Sequence, residues 1–481
     1  MTATNQMFYT DALTAKGWQK APTTFSVINP STGKPIAEVA DCTASMAQDA
    51  IEAALKAFES WKKTMPFERS KILRKWFDLL IAHEKELGAL MALEMGKPIK
   101  EARGEVHYGA GFVEFYAEAI KHHTDAIVPS SFAHKRGMVR SEPVGLVYAV
   151  TPWNFPLAMI TRKVAPALAA GCVVINKPAE LSPLTALYAG QLWREAGGPD
   201  GTFQVLPTHD PVAFSKPFFA DERVRKLTFT GSTEVGRILY GQSATTLKRV
   251  SLELGGHAPF IVFDDADLDT VLTQAQFCKW RNCGQTCVTA NRFYVHKNVL
   301  EAFSQKFAEQ ARKVRVGDAS LEETQMGPLV EQAGLDKVKA QVEDAVSKGA
   351  TVLCGGQALG GLFFEPTVLS GVQTGMRILT EETFGPVAPI VVFETEEEVI
   401  QAANDTPFGL AAYVFTRDLG RAFRVSEALE YGIVGVNDGV PFAMNPQSPF
   451  GGVKSSGMGS EGGHWGLEEY LTTKYISFGL S

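Results

Sequence analysis

The sequence predicts an α/β protein with two sheet-bearing domains and a helix-rich N-terminal region. Three observations carry this expectation. The chain has 481 residues, more than a single hydrophobic core supports, since cores stop growing at roughly 250–300 residues. From Gly145 onward, short apolar runs alternate with amphipathic segments, the pattern of a parallel sheet covered by helices on both faces. A second alternating series begins near residue 258.

Taken in order, residues 43–63 place Met46, Ala50, Ala54, Phe58 and Trp61 on one helical stripe. Pro66 opens a long helix through Leu73, Trp76, Leu80, Leu87 and Met91, which Gly96 and Pro98 stop. Another helix covers about 100–122, so the N-terminal third is expected to be mostly helical. Residues 126–144 alternate weakly and read as a strand pair. Gly145-Leu146-Val147-Tyr148-Ala149-Val150 is a strand buried on both faces, ending in the turn Thr151-Pro152-Trp153-Asn154-Phe155-Pro156. Then follow a helix at 157–170, a strand at 172–176, a helix at 183–196, strands at 203–206 and 226–229, a helix at 233–243 and a strand at 249–252.

The second series has a strand at 258–263, a helix to about 280, a strand at 292–295, helices at 298–313 and 333–347, and a strand at 351–354. It continues to about 436. The tail 469–478 reads as one more strand. It and 126–144 fit neither domain, and such strands need an edge that a partner subunit could supply.

Composition narrows the function class. Apolar residues make up 45% and charged residues 21%, as in ordinary soluble enzymes. The net charge of −7 and the absence of a basic run exclude nucleic acid as the expected partner. Met1-Thr2-Ala3-Thr4-Asn5-Gln6 has neither a basic nor an apolar leader, and no apolar run approaches the roughly 18 residues that span a bilayer. A cytoplasmic address without membrane contact is expected. The six cysteines make no disulfide framework. Cys278, Cys283 and Cys287 fall close together, but C-x4-C-x3-C with His296 as the nearest histidine lacks a fourth ligand at zinc-like spacing, so no metal is expected.

Several short segments carry chemistry. Asn282-Cys283-Gly284-Gln285-Thr286-Cys287 places a thiol on a Gly-Gln turn, and Leu252-Glu253-Leu254-Gly255-Gly256 places a carboxylate before a Gly-Gly turn. A thiol that attacks a carbonyl and a carboxylate that later activates water are the two parts of thiol-based acyl chemistry. Cys287 is the expected nucleophile, Cys283 the competing one. Asn154, held between two prolines, could donate to a developing oxyanion or serve only its own turn.

Phe229-Thr230-Gly231-Ser232-Thr233-Glu234-Val235-Gly236 links a strand to a helix with small residues, so backbone N–H groups could approach a pyrophosphate. Lys177 and Glu180, beyond a strand end, could meet a ribose, and the Glu180 carboxylate would repel a 2′-phosphate. That favours NAD over NADP. A literal G-x-G-x-x-G at Gly457-Met458-Gly459-Ser460-Glu461-Gly462 follows no apolar strand and is expected to be a flexible loop without a cofactor role. Arg162 and Arg281 suit bidentate carboxylate binding; a structural salt bridge is the alternative for each.

Together these segments resemble the aldehyde dehydrogenase superfamily. The likeness runs nearly the whole chain, from Asn29-Pro30-Ser31-Thr32-Gly33 to the C-terminal strand. It includes Glu381-Glu382-Thr383-Phe384-Gly385-Pro386 and Ser448-Pro449-Phe450-Gly451-Gly452. The resemblance implies a Rossmann-type cofactor domain at 1–125 and 145–254, an α/β catalytic domain at 255–452, and a small β oligomerisation arm at 126–144 and 466–481. It further implies a homodimer or homotetramer.

It also implies roles for individual residues. Cys287 looks like the nucleophile, Glu253 the general base and Asn154 the oxyanion donor. Lys177 and Glu180 match adenosine-ribose contacts. Trp153, Gly231, Ser232 and Gly236 match positions around the adenosine and pyrophosphate, and Glu382 and Phe384 those beside the nicotinamide ribose. The implied reaction is oxidation of a small-molecule aldehyde to its acid through a cysteine thiohemiacetal and thioester.

Within the superfamily the chain is similar to succinate-semialdehyde dehydrogenases, which implies that Arg162 and Arg281 hold a distal carboxylate. The loop Val440-Pro441-Phe442-Ala443-Met444-Asn445-Pro446-Gln447-Ser448 departs from that group by about two extra residues and a missing serine. A glutarate-type or sulfonated semialdehyde, a broad aldehyde range, or a silent structural protein on the same fold are the alternatives. Thr289 stands where regulated members carry a second cysteine.

Overall fold

The computed structural model describes residues 8–440 and 445–480. An eight-stranded sheet runs in the order Gly17–Gln19, Ala12–Thr14, Phe203–Val205, Val173–Lys177, Leu146–Val150, Val224–Thr230, Arg249–Glu253, Gly457–Met458. Its five central strands are parallel, and the outermost additions are antiparallel. The apolar run at 146–149 is at most 1% exposed, which explains why this stretch has no polar face.

Chain order reverses around Leu146–Val150. The next two strands lie on one side of it and the later two on the other. The register pairs Val150 with both Lys177 and Phe229, and Thr230 with Glu253. Carboxyl ends of neighbouring strands therefore open a crevice at the switch point, where α/β sheets bind ligands.

A seven-stranded sheet follows, ordered Thr351–Cys354, Thr367–Ser370, Val387–Phe393, Ala290–His296, Ala258–Val262, Ala411–Phe415, Ile433–Val436. All neighbours are parallel except the first pair. Cys287 lies just before one of its central strands, Ala290–His296.

The two segments expected to seek an external edge find each other. Lys135–Pro143 pairs antiparallel with Leu471–Gly479, and Ala126–Val128 adds a third strand. Tyr475, Phe478 and Ile127 remain exposed on this small sheet. Among the described residues, no helix is long and apolar enough to cross a membrane.

Four expectations need correction. The helix from Pro66 is two helices, Pro66–Ala82 and Glu84–Met95, broken at His83 where φ is −100° and ψ 23°. The apolar stripe continues across the break, so periodicity could not show it. The N-terminal third is helical only from Ala44; before it lie four strands, including the hairpin Thr23–Asn29 with Lys34–Asp41. A helix at Pro211–Ala220 was not expected. Pro211 opens it, Asp210 accepts from Ala213 N at 3.0 Å, and the internal Pro217 hides it from a periodicity reading. Finally, the segment at 457–462 is no flexible loop: Gly457–Met458 pairs with Arg249–Glu253, and Phe450 and Glu461 bridge.

One remote contact ties the helical layer to the first sheet. Glu94 is buried and accepts from Leu184 N at 2.8 Å, Thr185 N at 3.0 Å and the Thr185 hydroxyl. It caps the helix Pro183–Glu195, whose own N-cap Ser182 makes no side-chain bond. Glu94→Gln turns one acceptor into a donor facing N–H groups. It should destabilise the protein by about 1–3 kcal/mol, read as a lower melting temperature; an unchanged melting curve would contradict the capping role.

Candidate active site

A cavity of about 700 Å³ opens at the switch point, between the ends of the two large sheets. Trp153 and Asn154 enter it after strand Leu146–Val150, and Gly231 and Ser232 after strand Val224–Thr230. Arg162 reaches it from helix Ala158–Ala170. Arg281 and Cys287 come from the second sheet's side, and Glu382 and Phe384 complete the wall. Of the thirteen site residues expected from sequence, nine line this one cavity. Glu253, Lys177, Glu180 and Gly236 do not.

The turn before Cys287 is tight. Asn282, Cys283 and Gly284 have φ of 51°, 56° and 70°, and left-handed backbone at non-glycine residues is rare away from functional sites. A side chain on Gly284 would meet the Gly385 carbonyl oxygen at 2.3 Å, and one on Gly256 would meet the Cys287 carbonyl oxygen at 2.2 Å. Glycine at these places lets three backbone segments close around the thiol.

Cys287 is half-buried and lines the cavity, whereas Cys283 is 1% exposed and packs into the core of the second sheet. The two thiols differ in what a ligand can reach. Burial pushes the Cys287 thiol up to about 12; the Arg162 guanidinium pulls it down, and Glu382 and Glu253 push it further up. Arg162 is the cation that most favours the thiolate.

Asn154 is buried, and its side-chain Nδ2 donates to the Gln285 carbonyl at 3.1 Å. An amide nitrogen has two hydrogens, so one donor is committed and one can serve a ligand.

Glu253 ends strand Arg249–Glu253, directly before the cavity residues Leu254 and Gly255. It is 2% exposed, and neither carboxyl oxygen has a hydrogen-bond partner in the structure. Burial raises its pKa well above the ordinary carboxylate range, and the Glu461 charge adds to this; Arg162 and Lys163 oppose it. A buried carboxyl left without partners is expensive in a structural role, and such groups concentrate at functional sites.

Sequence reading missed the residues behind it. Arg162 Nε and Lys163 Nζ both donate to Glu461, and Lys163 Nζ also donates to Thr230 Oγ1 at 2.5 Å. Glu461 is the acidic residue of the segment dismissed as a G-x-G-x-x-G look-alike. Two adjacent cations within the otherwise apolar run Ala158–Ala170 were the signal for a buried acid somewhere, though not for which one.

The arginines differ in anchorage. Among the described residues, the terminal nitrogens of Arg162 meet the Tyr108 hydroxyl at 3.5 Å and the Met159 sulfur at 3.4 Å, and its guanidinium lies 4.1 Å from the centre of the Phe450 ring. Arg281 lies 5.5 Å from the centre of the Phe155 ring and lowers the pKa of buried Glu101, which burial pushes up to about 7. Of the extended loop after Gly439, residues 441–444 lie outside the described residues.

The other wall suits a larger polar ligand. Helix Thr233–Ala244 starts at Gly231-Ser232, where the Ser232 hydroxyl accepts from Val235 N at 3.3 Å. Side chains at Gly231 or Gly236 would meet Phe229 or Leu254 at 2.4 Å. Trp153 and Phe384 stand edge to face, with ring centres 5.6 Å apart, and Phe384 has a left-handed φ of 53°. Glu382 Oε1 accepts from Gly256 N at 2.9 Å, and burial pushes its carboxyl up to about 7. Lys177 Nζ donates to Glu180 Oε2 at 3.2 Å. Burial would raise the Glu180 pKa, but the Lys177 charge and hydrogen bonds outweigh it and hold the group below its usual range. Glu180 reaches the cavity electrostatically, since its charge raises the pKa of the lining residue Glu331.

Comparison with known proteins places the chain among aldehyde dehydrogenases. The family model described as "Aldehyde dehydrogenase family" matches residues 18–476. The chain is 51% identical over 458 residues to the mitochondrial succinate-semialdehyde dehydrogenase of Arabidopsis thaliana, covering 95% of this chain and 86% of that one. It is 48% identical over 456 residues to the NADP(+) succinate-semialdehyde dehydrogenase of Escherichia coli, covering 94% of each. To the 3-sulfolactaldehyde dehydrogenase of Pseudomonas putida it is 47% identical over 458 residues, covering 95% and 94%. The crystal structure of an aldehyde dehydrogenase from Brucella melitensis superposes with a TM-score of 0.97 at 50% identity, covering 99% of both chains.

The electrostatics of Cys287 set a pH dependence. A thiol pushed up to about 12 is mostly protonated at neutral pH, and its thiolate fraction grows as pH rises. Alkylation of Cys287 by iodoacetamide in the ligand-free protein should accelerate about tenfold per pH unit from pH 7 to 9 without levelling. A plateau below pH 8 would show that Arg162 outweighs burial.

Proposed function

We propose that this chain, which belongs to the aldehyde dehydrogenase family, oxidises a semialdehyde carrying a distal acidic group, with NAD as the preferred cofactor. Aldehyde oxidation with NAD or NADP is the family's reaction. The finer reading rests above all on one observation: two guanidinium groups, Arg162 and Arg281, line the same cavity as the half-buried thiol of Cys287. A carboxylate or sulfonate taken out of water needs paired, hydrogen-bonding cations. The terminal nitrogens of Arg162, whose contacts among the described residues are long, suit such a group.

The residues do the following in this reading. The Cys287 sulfur bonds to the aldehyde carbon, and the carbonyl electron pair moves to oxygen. The resulting oxyanion accepts from the second N–H of Asn154 and from the backbone N–H of Cys287. Succinate semialdehyde is the first candidate, with its carboxylate at Arg162 and Arg281. A nicotinamide cofactor in this cavity would supply the two-electron oxidant, a hydride acceptor, that converts the adduct on Cys287 to a thioester. Water then attacks the thioester carbon, Glu253 takes the water's proton, and the C–S bond breaks to release the acid and return the Cys287 thiolate. The raised pKa of Glu253 makes it a base whose capacity grows with pH.

The wall opposite the arginines fits a dinucleotide. The N-terminus of helix Thr233–Ala244 at Gly231-Ser232 suits a pyrophosphate, and the tight packing at Gly236 lets the helix approach its strand. Glu382 and Phe384 suit the nicotinamide ribose, Trp153 the neighbouring surface, and Lys177 and Glu180 the adenosine ribose. A charged Glu180 repels a 2′-phosphate, which supports NAD even though the Escherichia coli relative is named for NADP(+). A cytoplasmic homodimer or homotetramer, assembled through the exposed face of the small three-stranded sheet, completes the reading.

The second reading keeps the site and changes the acid, since one relative is a 3-sulfolactaldehyde dehydrogenase. Steady-state NADH formation with succinate semialdehyde against 3-sulfolactaldehyde separates them, and neutral aldehydes test the clamp that both share. The kcat/KM with NAD should be at least about 100-fold higher for an acid semialdehyde than for a neutral aldehyde of equal length. Arg281→Ala should remove about 10–100-fold of that preference, mainly through KM. Equal rates on neutral aldehydes would refute the arginine clamp, and faster turnover with NADP would refute the role of Glu180.

A further inference from the structure

Two opposite charges in the cavity wall are buried and have no part in the steps above. Lys97 and Glu105 are 1% and 3% exposed and form an ion pair. Desolvation of such a pair offsets its attraction unless the remaining donors and acceptors are also satisfied. Here the other contacts converge on one short turn. Lys97 Nζ donates to the backbone carbonyl of Asn154 at 2.8 Å and lies 3.6 Å from the centre of the Phe155 ring. Glu105 Oε1 accepts from Leu157 N at 2.9 Å and Ala158 N at 3.1 Å.

Those two N–H groups open helix Ala158–Ala170, whose own N-cap Leu157 offers no side-chain bond. Glu105 therefore caps from another helix, with its negative charge at the positive helix end. One partner of the ion pair holds the start of the turn at 154 and the other holds its end at 157–158.

Asn154 sits inside that clamp. Its carbonyl accepts a second bond, from Asn282 Nδ2 at 3.1 Å, and the same Asn282 nitrogen donates to the Gln285 carbonyl at 3.2 Å. The Asn154 side chain donates to the same Gln285 carbonyl, two residues before Cys287. Fixing the main chain of Asn154 thus fixes where its second N–H points.

We propose that the buried Lys97–Glu105 ion pair is a positioning device for Asn154: it holds the turn that aims the Asn154 amide at the oxygen of the aldehyde adduct on Cys287. This inference rests on the reading of Asn154 as oxyanion donor. Neither Lys97 nor Glu105 touches the reacting atoms in it; both act through the turn.

The test uses Lys97→Met/Glu105→Gln, which removes both charges together and leaves no unpaired buried ion. Two rates are read: the first turnover of NADH with succinate semialdehyde, and alkylation of Cys287 by iodoacetamide, which makes no oxyanion. The double variant should slow the first about tenfold and leave the second within about twofold. Asn154→Ala alone should slow the first about 100-fold, and adding the double substitution to it should slow it no further. A full first-turnover rate in the double variant, with Asn154→Ala slow, would overturn the positioning role. Equal slowing of both rates, or an additive effect on Asn154→Ala, would show a merely structural pair. A full rate in Asn154→Ala would overturn the oxyanion reading beneath it. If the double variant fails to fold, Glu105→Gln alone is read by the same ratio.

Discussion

Four ionisable groups that water would normally hold apart, Arg162, Lys163, Glu461 and Glu253, share one buried cluster that Arg162 links to the cavity, and the site depends on how they cancel. Arg162 and Lys163 both donate to Glu461. That pairing lets the guanidinium stay charged in a place 1% exposed, where a lone cation would be prohibitively desolvated. The same pairing fixes the Glu461 charge close to Glu253, whose proton affinity is raised by burial and then further by that charge. Arg162 pulls the other way on both Glu253 and Cys287. One anchored guanidinium therefore acts on both the Cys287 thiol and the Glu253 carboxyl.

A second constraint is the close approach of backbone. The cavity exists because strand ends from two sheets meet, and they meet only where no side chain intervenes. Gly256 lies against the Cys287 carbonyl and Gly284 against the Gly385 carbonyl. Gly256 N also holds Glu382, so the turn after Glu253, the thiol segment and the carboxylate wall form one unit. Left-handed backbone at Asn282, Cys283 and Phe384 marks where the chain is bent into this unit. The helix layer adds its own supports, as Glu94 and Glu105 each cap a helix distant in sequence.

Much of this was legible beforehand. Apolar runs such as 146–150 and 258–262 revealed buried parallel strands because a strand covered on both faces has no polar positions. Cys287 and Asn154 were recognisable because small or polar residues interrupt those patterns beside strand ends, and Arg162 because it is a cation in a largely apolar helix. What stayed hidden was long-range. Glu461 lies 298 residues from its partner Lys163, and nothing local distinguishes it from a loop acid. Lys97 and Glu105 lie at the start of a charged helical segment and look solvated until tertiary structure buries them. The break at His83 escaped because both helices bury the same stripe, and strands Ala12–Thr14 and Gly17–Gln19 because three-residue strands at the sheet edge are too short to show a period. The cavity also separates what sequence grouped together: Lys177 and Glu180 stand apart from the lining, while Glu253 lies just behind it.

Trapping the covalent species tests the central claim most directly. Glu253→Gln protein mixed with NAD and succinate semialdehyde, quenched in acid and examined by intact-mass and peptide mass spectrometry, should accumulate a succinyl adduct on Cys287, with one equivalent of NADH formed. The account is contradicted if the adduct appears on Cys283, or if NADH forms through many turnovers with no adduct on Cys287.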